Sequence, residues 1–125
     1  MIKLVPDLRA RKLRIDGVGN QAHWRLDTPG IDEIETAVAD LRATGLKVMY
    51  TELDIGNLLP NTPRGADAAV FLKHRDGVTR VTFWGLSDAD SWLNRGRMNY
   101  PLLWDRQRQP GPAFNAVVDA LRSAT

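Results

Sequence analysis

The chain has 125 residues, 43% of them hydrophobic, with 17 basic and 15 acidic side chains for a net charge of +2. That is one domain's worth of sequence with enough apolar matter for a core, and its mixed charge argues against a basic nucleic-acid-binding surface. No stretch reaches the roughly 18 apolar residues of a membrane span, and the absence of cysteine excludes disulfides and thiolate chemistry.

The N-terminal Met-Ile-Lys-Leu-Val-Pro lacks the long apolar core of a signal peptide. Leu4 to Arg14 suits the end of a helix, beginning at about Pro6 because proline cannot donate the bond an interior position needs. The basic clusters Arg9 to Arg14 and Arg106 to Arg108 lack interleaved aromatics and read as solvated faces. Ile15 to His23 is strand-like, with Gly17 and Gly19 allowing close backbone packing. Thr28-Pro29 is an N-cap and first-turn pair. Ile31, Ile34, Val38 and Leu41 then keep helical spacing up to a stop at Gly45. Lys47 to Thr51 is a second strand, Ile55 to Gly65 a loop, Ala66 to His74 a short helix and Val78 to Trp84 a third strand. Asp88 to Gln109 is mostly loop, in which Asp88 and Asp90 read as turn residues. Pro112 to Arg122 is a closing helix with Phe114, Val117 and Leu121 on one face. Trp24 and Trp104 read as structural or peripheral, and His74, at a helix end, as a surface residue. Strands alternating with helices imply parallel βαβ units.

Chemistry concentrates in Met49-Tyr50-Thr51-Glu52-Leu53-Asp54-Ile55. Side chains alternate along a strand, so Glu52 and Asp54 share a face. Neighbouring parallel strands end at one rim, which brings His23, Glu52 and Trp84 together, and Gln21 and Asp54 share parity with His23 and Glu52. A histidine between two carboxylates can donate to one and be oriented by the other. The bland alternatives are a polar strand end and a structural histidine. No His/Asp cluster has metal-ligand spacing and no glycine loop suits a phosphate, so no metal or cofactor is expected.

Four stretches, in order, carry a resemblance: Ile15-Asp16-Gly17-Val18-Gly19-Asn20-Gln21-Ala22-His23-Trp24; Gly45 to Ile55, containing Thr51-Glu52-Leu53-Asp54; Val81-Thr82-Phe83-Trp84-Gly85-Leu86 through Ser91-Trp92-Leu93; and Tyr100-Pro101-Leu102-Leu103-Trp104-Asp105. Together they resemble the C-terminal part of glycoside hydrolase family 10, the retaining endo-β-1,4-xylanases. The resemblance implies an α/β fold, the last three strands and their helices of a (β/α)8 TIM barrel, with residues 1–125 forming a single partial catalytic domain. It implies xylan or xylo-oligosaccharides as substrate and Glu52 as nucleophile, with His23 and Asp54 in its hydrogen-bonded network. Trp84 and Trp92 match tryptophans that wall the sugar subsite beside the cleaved bond, with Gln21 as a further binding residue. Indoles stack on pyranose faces and their N–H can bond hydroxyls.

The pattern also breaks. The family's acid/base glutamate follows the fourth strand in an Asn-Glu motif, whereas this chain holds only Glu33, Glu35 and Glu52. The segments before the Phe83-Trp84-Gly85 strand and between Asn94 and Arg95 are shorter than is usual in the family. A closed barrel takes about 250 residues, so half of one leaves open sheet edges. Those edges call for a second copy of the chain or the complementing N-terminal part of the barrel. Members of the family are often secreted, which leaves the compartment open. A non-catalytic sugar-binding remnant using Trp84 and Trp92 is a third reading.

Overall fold

The computed structural model describes residues 2–59 and 66–124. The elements are α1 (Leu4–Ala10), β1 (Gly17–Asn20), β2 (His23–Arg25), α2 (Ile31–Ala43), β3 (Lys47–Gly56), α3 (Ala66–Lys73), β4 (Val78–Phe83), a 3₁₀ turn at Asp88–Asp90 and α4 (Pro112–Ser123). Every strand pairing is parallel. β3 lies in the middle, with β1 and β2 along one edge and β4 along the other. The helices between strands make this possible, because parallel neighbours need long crossovers. No helix among the described residues is long and apolar enough to cross a membrane.

Several boundaries differ from the expectations for local reasons. Helix α1 starts at Leu4 rather than Pro6; proline in the first turn loses nothing, because those N–H groups have no acceptor inside the helix. Helix α2 starts at Ile31 with Gly30, not Thr28, as its N-cap. Thr28 closes the turn after β2, bonding through its backbone to Arg25, and Glu33 accepts the Gly30 N–H at 2.7 Å. The helix ends before Gly45, whose φ of +75° suits glycine. Residues 60–65 of the expected loop lie outside the described residues.

The expected strand from Ile15 to His23 is two strands. Asn20 turns its side-chain oxygen back onto the Ala22 N–H at 3.0 Å, and Ala22 takes the left-handed φ of 61°. The chain leaves the ladder there and rejoins it at His23. β3, by contrast, runs past Thr51 to Gly56, because β2 and the end of β4 both pair with its second half. Gly17 is needed where it stands, since a Cβ would come 3.0 Å from the Lys47 carbonyl oxygen.

The core fills the space between the sheet and the helices. Ile34, Val38 and Leu41 of α2 and Val70 and Phe71 of α3 pack on Val48, Tyr50 and Leu53. Ile31, expected on the same face, is left exposed at the helix start. Trp24 packs against Tyr50 and Phe71, at ring distances of 5.8 and 6.2 Å. Trp104 covers Phe114 of α4. No residue of α4 is buried, and an apolar cavity of about 270 Å³ separates Val117 and Leu121 from Leu53, Ile55 and Phe83.

His74 is buried, against the surface position expected. Arg42 donates to its Nδ1 at 2.9 Å, and its Nε2 lies 3.7 Å from Glu35. This ties α2 to the end of α3, and the aliphatic stem of Arg42 needs the space that Gly77 leaves free. Arg106 likewise leaves the solvated set, donating to the Asp88 carbonyl at 3.2 Å and to Asn94 at 3.3 Å.

Burial pushes the Tyr50 phenol up to about 12, against an ordinary value of about 10. The folded chain therefore keeps a proton that the unfolded chain releases. The associated stability is complete below about pH 10 and falls as pH rises from there towards 12. Urea unfolding at pH 9 and pH 11 should show a larger loss of midpoint for the natural chain than for Tyr50→Phe; equal losses would refute the assignment.

Candidate active site

β3 holds one residue more than either neighbour just before its polar end. Tyr50 to Leu53 is matched by the shorter step from Val81 to Phe83 on β4. On the other side, Tyr50 to Asp54 is matched by the shorter step from Asn20 to His23. Strict alternation would place Glu52 and Asp54 on the side of Val48 and Tyr50, beneath the helices. The surplus residue reverses this. The Tyr50 ring lies 4.4 Å from Phe71 of α3, and Leu53 lines the cavity beside that same Phe71. Two residues of opposite parity thus share the helix-covered face, and Glu52 and Asp54 are turned to the other. A bulge next to a site commonly re-aims a side chain in this way.

The left-handed Ala22 does the matching work on the neighbouring strand, delivering His23 opposite Asp54. His23 Nδ1 lies 3.1 Å from Asp54 Oδ1, and its Nε2 lies 3.3 Å from Glu52 Oε2. A neutral ring donates to one carboxylate only, whereas an imidazolium donates to both. Asp54 is wholly buried, while the Glu52 side chain keeps 23% of its surface exposed. Glu52 is therefore the carboxylate that an incoming molecule can reach, and Asp54 the one that holds the ring.

Trp92 stands against this pair. Its indole N–H donates to Asp54 Oδ2 at 2.6 Å, and its ring meets His23 edge-on at 5.2 Å between centroids. The Arg95 guanidinium lies over the indole, 4.9 Å from the ring centre. This N–H is thus committed to a buried carboxylate. Trp84 sits at the same strand end. Its backbone N–H bonds the Leu53 carbonyl at 3.0 Å, and its side chain is nearly half exposed. Gln21 is exposed, and no hydrogen bond among the described residues joins it to His23, Glu52 or Asp54. The parity argument for it lapses because Ala22, between it and His23, is not extended.

The long segment after β4 carries Trp92 to its place, and buried polar groups pin it. Asp88 accepts the Leu102 N–H at 2.9 Å, Asn94 donates to the Asp88 carbonyl at 2.7 Å, and Asn99 accepts the Asn57 N–H at 2.8 Å. Burial raises the Asp88 carboxyl above its ordinary range, with the Leu102 N–H opposing. Asp88 and Asp90 thus serve as local turn anchors. Asn20, Ala22 and Arg95 were not singled out by sequence reasoning. An asparagine two residues before a non-glycine turn position is a known turn signal, whereas nothing local marks Arg95.

The other glutamates are elsewhere. Glu33 caps the start of α2, and Glu35 faces Lys73 and His74, its carboxyl held below the ordinary range chiefly by the Lys73 hydrogen bond.

Asp54→Ala should lower stability by about 1–3 kcal/mol, because two donors would lose a buried acceptor. Glu52→Gln, at a partly exposed position, should change it by less. Denaturant unfolding of the two variants checks the order, and a larger loss from Glu52→Gln would contradict it.

Comparison with known proteins places these features in context. The sequence profile described as Glycosyl hydrolase family 10 matches residues 1–120. An endo-1,4-beta-xylanase of Geobacillus stearothermophilus is 37% identical over 138 aligned positions, covering 93% of this chain and 42% of the relative. Those positions outnumber the residues of this chain, so the relative carries extra residues within the matched span. A solved xylanase of Thermobacillus composti superposes with a TM-score of 0.86 at 32% identity, over 95% of this chain and 46% of that one. A mutant solved in complex with xylotriose superposes with a TM-score of 0.79 at 33% identity, over 94% of this chain and 43% of that one. The chain thus spans less than half the length of these relatives, and its parallel strands and helices match the C-terminal portion of their (β/α)8 barrels.

Proposed function

From glycosyl hydrolase family 10, to which this chain belongs, we infer that it carries the nucleophile side of a retaining endo-β-1,4-xylanase site, with Glu52 as the nucleophile. The observation that carries the reading is His23, at the start of β2, set between Glu52 and Asp54 in the second half of the adjacent parallel strand β3. Barrel enzymes hold their chemistry towards the C-terminal rim of the sheet. The xylanase names of the matched relatives, and the xylotriose in one of them, supply the substrate class.

In a retaining mechanism the Glu52 carboxylate forms a bond to the anomeric carbon as the glycosidic C–O bond breaks. A second carboxyl group protonates the leaving oxygen, then takes a proton from the water that hydrolyses the glycosyl-enzyme. The two carboxyl groups stand about 5–5.5 Å apart in such sites. Here Asp54 is buried behind His23, and the only other glutamates sit on α2, so the acid/base group must come from outside these residues. His23 orients Glu52, and Trp84, whose backbone N–H bonds the Leu53 carbonyl, offers an exposed indole for a sugar face.

The isolated chain should therefore show no appreciable hydrolysis of polymeric xylan, since loss of general-acid assistance costs about 10²–10⁴-fold. An activated aryl xyloside, whose leaving group needs little protonation, is the most permissive substrate. Any turnover of it should vanish in Glu52→Ala. Robust xylan hydrolysis by the pure chain would overturn this view of its completeness.

A second reading rests on the sheet edges. Among the described residues β4 pairs on one side only, and Arg80 and Thr82, paired or alternating with the non-helix side of β3, are exposed. Such an edge is a template for another strand. The chain then works as an assembly module that pairs with a second copy or with the complementing part of the barrel. Light scattering should show self-association at micromolar concentration or on adding that part; a stable monomer under both conditions counts against it.

A further inference from the structure

Trp92 makes three contacts that a wall for a sugar ring does not need. Its N–H meets the wholly buried Asp54 at 2.6 Å, its ring meets the His23 edge at 5.2 Å, and Arg95 lies over it at 4.9 Å. Asp54 has two oxygens, and among the described residues each has one side-chain partner: Oδ2 takes the indole N–H and Oδ1 faces His23 Nδ1. A carboxylate held at one oxygen only could swing about its Cβ–Cγ bond, whose torsion is soft. Held at both, it presents Oδ1 to the imidazole in one orientation. The imidazole then presents Nε2 to Glu52, 3.3 Å away.

We propose that Trp92 is a positioning residue, its indole N–H fixing Asp54, Asp54 fixing His23 and His23 holding Glu52, with Arg95 clamping the indole in place. The inference rests on Glu52 being the reactive group, and it assigns Trp92 to the support of that group. The shape of the segment favours this. Ser91 and Asn94 on either side of Trp92 are tied into backbone bonds, Ser91 to the Leu93 N–H and Asn94 to the Asp88 carbonyl. The indole therefore approaches Asp54 from a pinned turn. Trp84 is exposed to a similar degree, 48% against 40% for Trp92, but has no aromatic or cationic partner among the described residues.

The test needs no substrate, so its failure is separable from failure of the xylanase reading. In the natural chain the Trp92 indole proton should exchange with water at least about tenfold more slowly than those of Trp84 and Trp104, as expected for a charge-assisted bond to a buried acceptor. In Trp92→Phe, which keeps an aromatic ring and removes the donor, the His23 Nδ1 proton should exchange at least about tenfold faster, with backbone amide shifts of β3 and β4 retained. Arg95→Met should speed Trp92 indole exchange without unfolding the sheet. An indole that exchanges as fast as that of Trp84 sinks the proposal even if Trp92→Phe does not fold. An unchanged His23 proton in a folded Trp92→Phe sinks it as well. A protected network in a chain whose complemented form shows no glycosidase activity would leave the Trp92–Asp54–His23–Glu52 arrangement standing and remove the function it is argued to serve.

Discussion

The site depends on one surplus residue in β3. A strand with strict alternation that buries Val48 and Tyr50 under helices would bury Glu52 and Asp54 there too, where two carboxylates in an apolar core would have to be neutral or paired. The extra residue, counted against β4 on one side and against β1 and β2 on the other, moves both acids to the open face. It also returns Leu53 and Ile55 to the apolar side. Core and site are thus served by the same strand, and neither is compromised.

That arrangement leaves a buried charge to be managed, and the fold does so with hydrogen bonds. Asp54 is removed from water on every side and accepts from Trp92 while facing His23. A buried carboxylate without partners would be strongly unfavourable, whereas one with charge-assisted donors is tolerated and becomes a rigid reference point. Glu52, on the same face but nearer solvent, has His23 as its partner among the described residues and remains accessible. The division between a buried acid and one that solvent reaches follows from position along the strand.

Elsewhere the molecule joins its layers through polar clamps rather than through a deep core. Arg42 binds His74 and Asp76 and so ties α2 to the turn before β4. Asp88, Asn94 and Asn99 fold the long segment after β4 back over the strand ends. Helix α4 buries no residue fully, and the sheet has a β4 edge with no strand beyond it among the described residues. These are features of part of a barrel, whose relatives extend over more than twice the matched length.

The order of helices and strands was legible in the sequence because apolar spacing and glycine or proline stops act locally. Ile34, Val38 and Leu41 declared one helical face, and Gly45 its end. The pairing of Glu52 with His23 was legible too, through strand order and the family motifs around them. Three things were not. The break at Ala22 requires a side chain, Asn20, to outbid the ladder for a backbone N–H. The burial of His74 requires Arg42, more than thirty residues away, to supply a donor. The commitment of Trp92 to Asp54 requires the whole segment from Gly85 to Pro101 to be folded back. Periodicity and motif therefore determined which residues could meet at the rim. The bulge and the long-range hydrogen bonds, which depend on neighbouring strands and distant donors, decided which way each of them faces.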